Sequence, residues 1–287
     1  LLHIKYLIVF CTHKMDLDSI VVLGSLHYDI FIKSKYIPKI SETVLAENWF
    51  PKLGGKGANQ AVALRKEFEN VKFISAIGND IFSDFLLKKL KEANISLNYL
   101  SKIDGDSGVS VAISNKLGDY SAVVVSGANT KISEDFLYDN DLWQGVSFLM
   151  IQNEIKEEIN LLAAQEARKR NIKVFFNAAP GKNIDNLCNF VDILLINEIE
   201  AQQISDDYSN TFDNIAKKLS NKISKIIITL GSKGVVACEE NRKPTGGETW
   251  QDKMPKVPRY YSPTELLEKR VTRLEQDLKN LKKELNL

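Results

Sequence analysis

Cysteine is scarce, and the three present (Cys11, Cys188 and Cys238) stand far apart with no C-x-x-C pair. An odd, scattered set argues against a disulfide frame or a zinc site and suits a reducing, cytoplasmic compartment. Charge of one sign is missing as well. The 38 basic side chains face 37 acidic ones, so no field gathers nucleic acid or anionic lipid. No apolar run is long enough to span a bilayer, since the apolar residues 1–11 are too few and are interrupted by His3 and Lys5. No Walker A loop (G-x-x-x-x-G-K-[ST]) occurs, nor any G-x-G-x-x-G, and there are no internal repeats. What remains is ordinary for a globular protein: 287 residues, 44% hydrophobic and 26% charged. That length suits one large α/β domain or two small ones.

From residue 19 to residue 239 short apolar runs alternate with helical patterns, the mark of βαβ units around a mostly parallel sheet. Runs at 19–24 (SIVVLG), 72–77 (KFISAI), 148–152 (FLMIQ), 173–177 (KVFFN), 192–196 (DILLI) and 225–229 (KIIIT) read as buried strands. Their near-continuous β-branched and aromatic content is what strands covered on both faces need. Helical spacing falls at 58–66, 82–93, 156–170 and 212–219. Two stretches, 31–50 and 109–125, instead alternate apolar with polar and read as half-exposed antiparallel strands of a small separate sheet.

The two ends differ in character from this body. Residues 1–14 read as leader or upstream read-through, with Met15 just before the first strand. Residues 241–261 hold two glycines and three prolines without apolar periodicity and read as a linker. Ser262, Pro263 and Glu265 then form a capping-box start for a helix over 262–287. Leu267, Val271, Leu274, Leu278, Leu281 and Leu285 give that helix a heptad seam of under three heptads.

The densest chemical signal is Gly54-Gly55-Lys56-Gly57-Ala58-Asn59-Gln60. Three glycines within four positions let backbone approach a ligand closely, and the helix behind them aims free N–H groups and its positive dipole end at the same place. Lys56 and Asn59 add an ammonium and an amide. Taken alone, the loop is equally a tight strand-to-helix turn that needs only glycine. Asp29, Glu154, Thr229 and the pair Asn197/Glu200 each have such a local alternative: a turn Asp, a first-turn Glu, a strand end before a hairpin, and an N-cap with its capping Glu.

As a string, GGKGANQAVA resembles the N-terminal signature of ribokinases, the pfkB family of sugar kinases. Further short motifs follow in the family's order: Leu23-Gly24-Ser25-Leu26-His27-Tyr28-Asp29, Glu42-Thr43-Val44, Gly127-Ala128-Asn129 and Glu154. Asn177-Ala178-Ala179-Pro180, Asn197-Glu198-Ile199-Glu200 and Thr229-Leu230-Gly231-Ser232-Lys233-Gly234 complete the series. The resemblance implies an α/β fold with a mostly parallel central sheet flanked by helices, over residues 15–240. It also implies a small antiparallel lid, at about 30–50 and 108–125, that closes on a sugar. It implies ATP and Mg2+ as cofactors, a small-molecule sugar as partner, and a possible homodimer through the lid sheet or the heptad tail. Carried over residue by residue, Asp29 accepts from two sugar hydroxyls, while Gly55, Lys56, Asn59 and Glu154 hold the same sugar. Asn197 and Glu200 position phosphate and magnesium, Glu200 through water, and Thr229 with Gly231 lines the nucleotide.

The chain also departs from the family. His27 stands where ribokinases place a sugar-touching Asn, Ser41 replaces the lid glycine, and Ser83 replaces a glycine after Asp80. After Gly234 nothing resembles the D-T-x-G-A-G-D segment, whose backbone forms an anion hole and whose last Asp is the base; the elements of the monovalent-cation site are missing as well. The sequence therefore carries a sugar site, no assigned catalytic base, and three open readings: an impaired sugar kinase, a non-catalytic sugar- or protein-binding remnant, or a degraded or chimeric product.

Overall fold

The computed structural model describes residues 19–239, apart from 118 and 210. The readings at 1–14 and across the linker and heptad helix lie outside the described residues. Within them the backbone makes two sheets. The larger has eight strands in the order β12-β11-β10-β9-β8-β1-β4-β5, all parallel but for β12. Its strands are β1 (Ser19–Leu23), β4 (Val71–Ile77), β5 (Leu100–Lys102), β8 (Val146–Gln152), β9 (Lys173–Asn177), β10 (Ile193–Asn197), β11 (Lys225–Thr229) and β12 (Val235–Glu239). The four-stranded sheet runs β3-β2-β6-β7, with β2 (His27–Lys33), β3 (Asn48–Gly54), β6 (Gly108–Ser114) and β7 (Tyr120–Val125).

The large sheet is central because its strands are apolar on both faces. All five residues of β1 are buried, as are the last five of β8. Helices α1 (Lys56–Arg65), α2 (Ser83–Glu92), α5 (Glu157–Lys169), α6 (Glu198–Ser205) and α7 (Phe212–Ser220) follow strands β3, β4, β8, β10 and the turn after α6. One continuous core joins Val21, Leu149, Phe176 and Leu194 of the sheet to Ala163 of α5 and Ile215 of α7. Burial of such side chains contributes roughly 1.5–3 kcal/mol each. Among the described residues no helix is long and apolar enough to cross a membrane.

Several expectations are corrected in detail. The first helix begins at Lys56 rather than residue 58, because Gly55 turns the chain with φ +89° and leaves Lys56 and Gly57 free to take helical geometry. The stretch 31–50 is not one alternating segment: β2 starts at His27, and residues 34–47 between β2 and β3 form no strand. The small sheet is antiparallel at its two outer pairings, while its central pair β2–β6 is parallel. Two short helices, α3 (Asp135–Tyr138) and α4 (Asn140–Trp143), went unread because four-residue pieces show no period.

Strands β4 and β5 lie to one side of β1, and β8 through β12 lie to the other. The order reverses between β1 and β8, and the carboxyl ends of these two strands open a crevice there. In open α/β sheets such a switch point is where ligands bind.

Candidate functional site

Glu154 is the hinge of this crevice. It sits two residues beyond β8, and one oxygen, Oε2, accepts from Ser25 Oγ at 2.6 Å and from the Lys56 N–H at 2.8 Å. Ser25 follows β1, and Lys56 is the first residue of α1, so one carboxylate joins both sides of the switch point to a helix N-terminus. The Lys56 ammonium stands 3.9 Å from the other oxygen, Oε1. The close approach is made by glycine. A Cβ on Gly57 would stand 2.5 Å from the Gly24 carbonyl carbon, and one on Gly55 would stand 2.7 Å from Ser25 O. Asn129 holds the same loop from below: its Oδ1 accepts from the Leu26 N–H at 2.8 Å, and its Nδ2 donates to Leu26 O at 2.9 Å.

The small sheet supplies the opposite wall. His27 and Asp29 share one face of β2, and Asp29 pairs in register with Ser110 and Lys52. Ser110 Oγ donates to Asp29 Oδ1 at 2.5 Å. The carboxylate fits because Gly54 has no side chain; a Cβ there would fall 2.0 Å from it. Burial pushes the Asp29 carboxyl above its ordinary value, against the Ser110 hydrogen bond that pulls it down. His27 is 3% exposed, and burial holds its imidazole below the usual value, opposed by the Glu154 and Asp29 carboxylates. Burial thus favours its neutral form.

A cleft of about 630 Å³ lies between these walls, lined by His27, Lys56, Val124, Glu154, Lys182 and Glu200 among others. Lys56, Glu154 and Glu200 are thus brought together. Gly55 shapes the turn behind them. Asp29 lies close enough to Glu154 to feel its charge, but neither Asp29 nor half-buried Asn59 is on the cleft wall.

Asn197 and Glu200 stand one strand-pair away at the carboxyl end of β10. They form a reciprocal capping box, Asn197 Oδ1 accepting from the Glu200 N–H and Glu200 Oε2 from the Asn197 N–H, both at 2.8 Å. Burial raises the Glu200 carboxyl, while the Asn197 N–H and the Lys56 charge lower it. Thr229 is the register partner of Asn197, and its Oγ1 donates weakly to Ile196 O at 3.4 Å. Gly231 has φ +57° and open space beyond its missing Cβ. Among the described residues no group of three or more His, Cys, Asp or Glu side chains could cage a metal. One buried carboxylate at the cleft fits a magnesium ion held mainly by phosphate oxygens and water, which is how magnesium is commonly carried.

Ser25, Ser110, Lys182 and Tyr120 belong to this region, and sequence reasoning gave them no role. Lys182 Nζ donates to Asn153 O at 3.0 Å on the cleft wall. Burial raises the Tyr120 phenol on β7, and the Asp29 and Glu154 charges push it the same way. Only Ser25 carried a signal, as a member of the quoted motif Leu23–Asp29; the other three become visible only once the chain is folded.

Known proteins resemble this chain in sequence and fold. The family described as pfkB family carbohydrate kinase matches residues 17–256. A ribokinase of Lactococcus lactis is 32% identical over 225 residues, covering 77% of this chain and 72% of its own length. A deoxyribokinase of Salmonella typhi is 30% identical over 227 residues, covering 76% and 74%. A structure of Arabidopsis thaliana ribokinase complexed with ribose and ATP superposes with a TM-score of 0.70 at 26% identity, covering 81% of this chain and 78% of that one.

Proposed function

The chain belongs to the pfkB family of carbohydrate kinases, and from that footing we propose that its cleft takes ribose or a related pentose, with ATP and magnesium as the phosphoryl donor. The observation that carries this reading is the Glu154 carboxylate on the cleft wall, pinned by Ser25 Oγ and the Lys56 N–H, with Asp29 near enough to feel its charge. Two carboxylates and one ammonium at the mouth of a helix suit a polyhydroxylated ligand. Asp29 accepts from two hydroxyls, a role for which an acceptor with two oxygens is fitted. Glu154, already fixed, accepts from a third through Oε1, and Gly55 shapes the helix mouth behind the sugar, while Asn59, off the cleft wall, takes no part in this reading.

On the donor side, Asn197 and Glu200 hold the phosphate and magnesium water, and Thr229 with Gly231 lines the nucleotide. Bound ATP supplies the phosphoryl group, and magnesium offsets charge on its oxygens. The Lys56 charge bears on both Glu154 and Glu200, so it serves the sugar and phosphate ends together. The 287 residues hold no D-T-x-G-A-G-D, and among the described residues no other group is assigned as a base. A positioned base is typically worth about 10²–10⁴ in rate, so this chain is expected to bind sugar and turn over poorly.

The lid supports a homodimer. Ile30, Ile32, Val111, Val123 and Val125 share the sheet face opposite Asp29, and Val123 and Val125 are 71% and 61% exposed. A second lid would cover that apolar face.

Calorimetric titration with ribose and an ADP-release assay test the reading together. Binding by the unmutated chain, lost in Asp29→Ala, is expected, with turnover far below about one per second, the low end of ordinary enzymes. Equal binding by Asp29→Ala would sink the sugar assignment. Turnover near that rate, abolished by Lys56→Ala, would show that another group replaces the base.

A further inference from the structure

Beneath the junction of Ser25, Lys56 and Glu154 lies an amide pair that packing alone does not explain. Gln60 of α1 and Gln152, the last residue of β8, are 1% and 0% exposed. Gln152 Nε2 donates to Gln60 Oε1 at 2.5 Å. The remaining halves of the two amides, Gln60 Nε2 and Gln152 Oε1, find no protein partner. Gln152 is also tied by its backbone, whose carbonyl accepts from Asn160 Nδ2 of α5 at 2.6 Å. Its side chain presses on the loop that carries Ser25: a Cβ on Gly24 would stand 1.8 Å from Gln152 Oε1 and 2.8 Å from the Gly57 Cα.

A buried amide with half its capacity unmet costs stability, and two apolar side chains of the same shape would fill this space at no loss. What apolar contacts do not supply is register. A hydrogen bond fixes distance and direction between the two elements, whereas apolar surfaces slide. The placement suits that task. Gln152 is two residues before Glu154, and Gln60 is one helical turn after Lys56. The pair therefore spans the two elements whose ends meet in the bond from the Lys56 N–H to Glu154 Oε2.

We infer that Gln60 and Gln152 are a positioning pair: their hydrogen bond sets β8 against the N-terminus of α1 and so fixes Glu154 and Lys56 for the ligand. Neither touches the ligand. The inference rests on the sugar-site reading above and adds to it the residues that hold the site in shape.

The test uses the whole chain, with Gln152→Met, Gln60→Met and the double variant, each measured by ribose titration and by thermal melting. Met approximates the length of Gln without its polar atoms. The expected result is a melting temperature lowered in each single variant, where the remaining amide loses its partner, and unchanged or raised in the double variant, with ribose affinity lower by about tenfold in all three, a modest part of what displaced site groups can cost. The double variant should be no weaker than either single one, because all three remove one bond. A purely structural pair leaves ribose affinity unchanged in all three variants, whatever the melting temperatures do. That pattern overturns the inference, as does failure of both single variants to fold. If the unmutated chain binds ribose and Asp29→Ala does not, yet both Met variants bind like the unmutated chain, only the positioning role falls. If the unmutated chain binds no sugar, the site reading falls and this inference with it.

Discussion

Gly57→Ala sets two rules against each other. Gly57 lies inside α1 with no left-handed backbone, so helix propensity alone makes alanine better by about 1 kcal/mol. The packing says otherwise. The new Cβ would stand 2.5 Å from the Gly24 carbonyl carbon, 2.6 Å from Ser25 N and 2.7 Å from the Gly24 Cα. All three are backbone atoms, so no rotamer relieves them. If α1 stays in place, compression of this kind costs about 1–3 kcal/mol. If instead it retreats to an ordinary contact of about 3.5 Å, it moves close to 1 Å. The Lys56 N–H to Glu154 bond, now 2.8 Å, and the Ala58 N–H to Ser25 O bond, now 2.9 Å, then break. Those bonds are worth about 1.5–3 and 0.5–1.5 kcal/mol. After the propensity gain, the first route leaves a net loss of about 0–2 kcal/mol and the second of about 1–3.5 kcal/mol, and the two overlap at about 1–2 kcal/mol. In urea that lowers the unfolding midpoint by roughly 0.5 M. Ribose titration on the same variant should show weakened binding, because the helix end that carries Lys56 has been pushed from Glu154. A midpoint unchanged or raised would refute the claim that this glycine is there for close approach.

Three other outcomes follow from the geometry. Burial raises the Asp29 carboxyl, so the folded chain holds that proton more tightly than the unfolded one. The resulting stability is present in acid and lost as pH rises through the raised value. Asp29→Asn, which keeps an acceptor for Ser110 Oγ, should therefore raise the melting temperature at pH 7 while weakening ribose binding, and a lower melting temperature would contradict it. Gly231→Ala meets nothing within 4 Å but must hold φ +57°, so it should cost about 1 kcal/mol from backbone strain alone; an unchanged urea midpoint would count against that. Light scattering should give twice the chain mass if the lid faces pair, and Val123→Lys, which charges an exposed position on that face, should halve it; a monomeric unmutated chain would rule the dimer out.

The large sheet was legible because its strands are buried on both faces, so apolar runs such as KVFFN and KIIIT coincide with β9 and β11. The lid was legible only as alternation. Period two reports that one face differs from the other, but not which strands pair or in which direction, so the parallel β2–β6 contact could not be foreseen. The same limit governs the site. Lys56, Asn59 and Gly55 fall in one string, so their nearness in the chain could be read directly, although of the three only Lys56 lines the cleft. Ser110 holds Asp29 from 81 positions away, and Gln152 holds Gln60 from 92; only strand pairing and helix docking bring such residues together.

Asn197 and Glu200 show why a local explanation and a functional one need not compete. The bland reading of the pair, an N-cap with its capping Glu, is what the backbone holds: both reciprocal hydrogen bonds are made, at 2.8 Å each. Yet the box consumes only one oxygen of Glu200, and the side chain still lines the cleft beside Lys56. The cap gives the carboxylate one orientation at the carboxyl edge of the sheet, where a free Glu would sample several rotamers. Burial then raises its proton affinity, which lowers the cost of leaving it without a cation when no ligand is bound. A magnesium ion carried in on phosphate would meet a carboxylate already aimed, and its charge would favour the ionised form. On this argument the capping box is the means by which the chain presents an acidic group at the strand end, just as Ser25 and the Lys56 N–H present Glu154 on the other side of the same cleft.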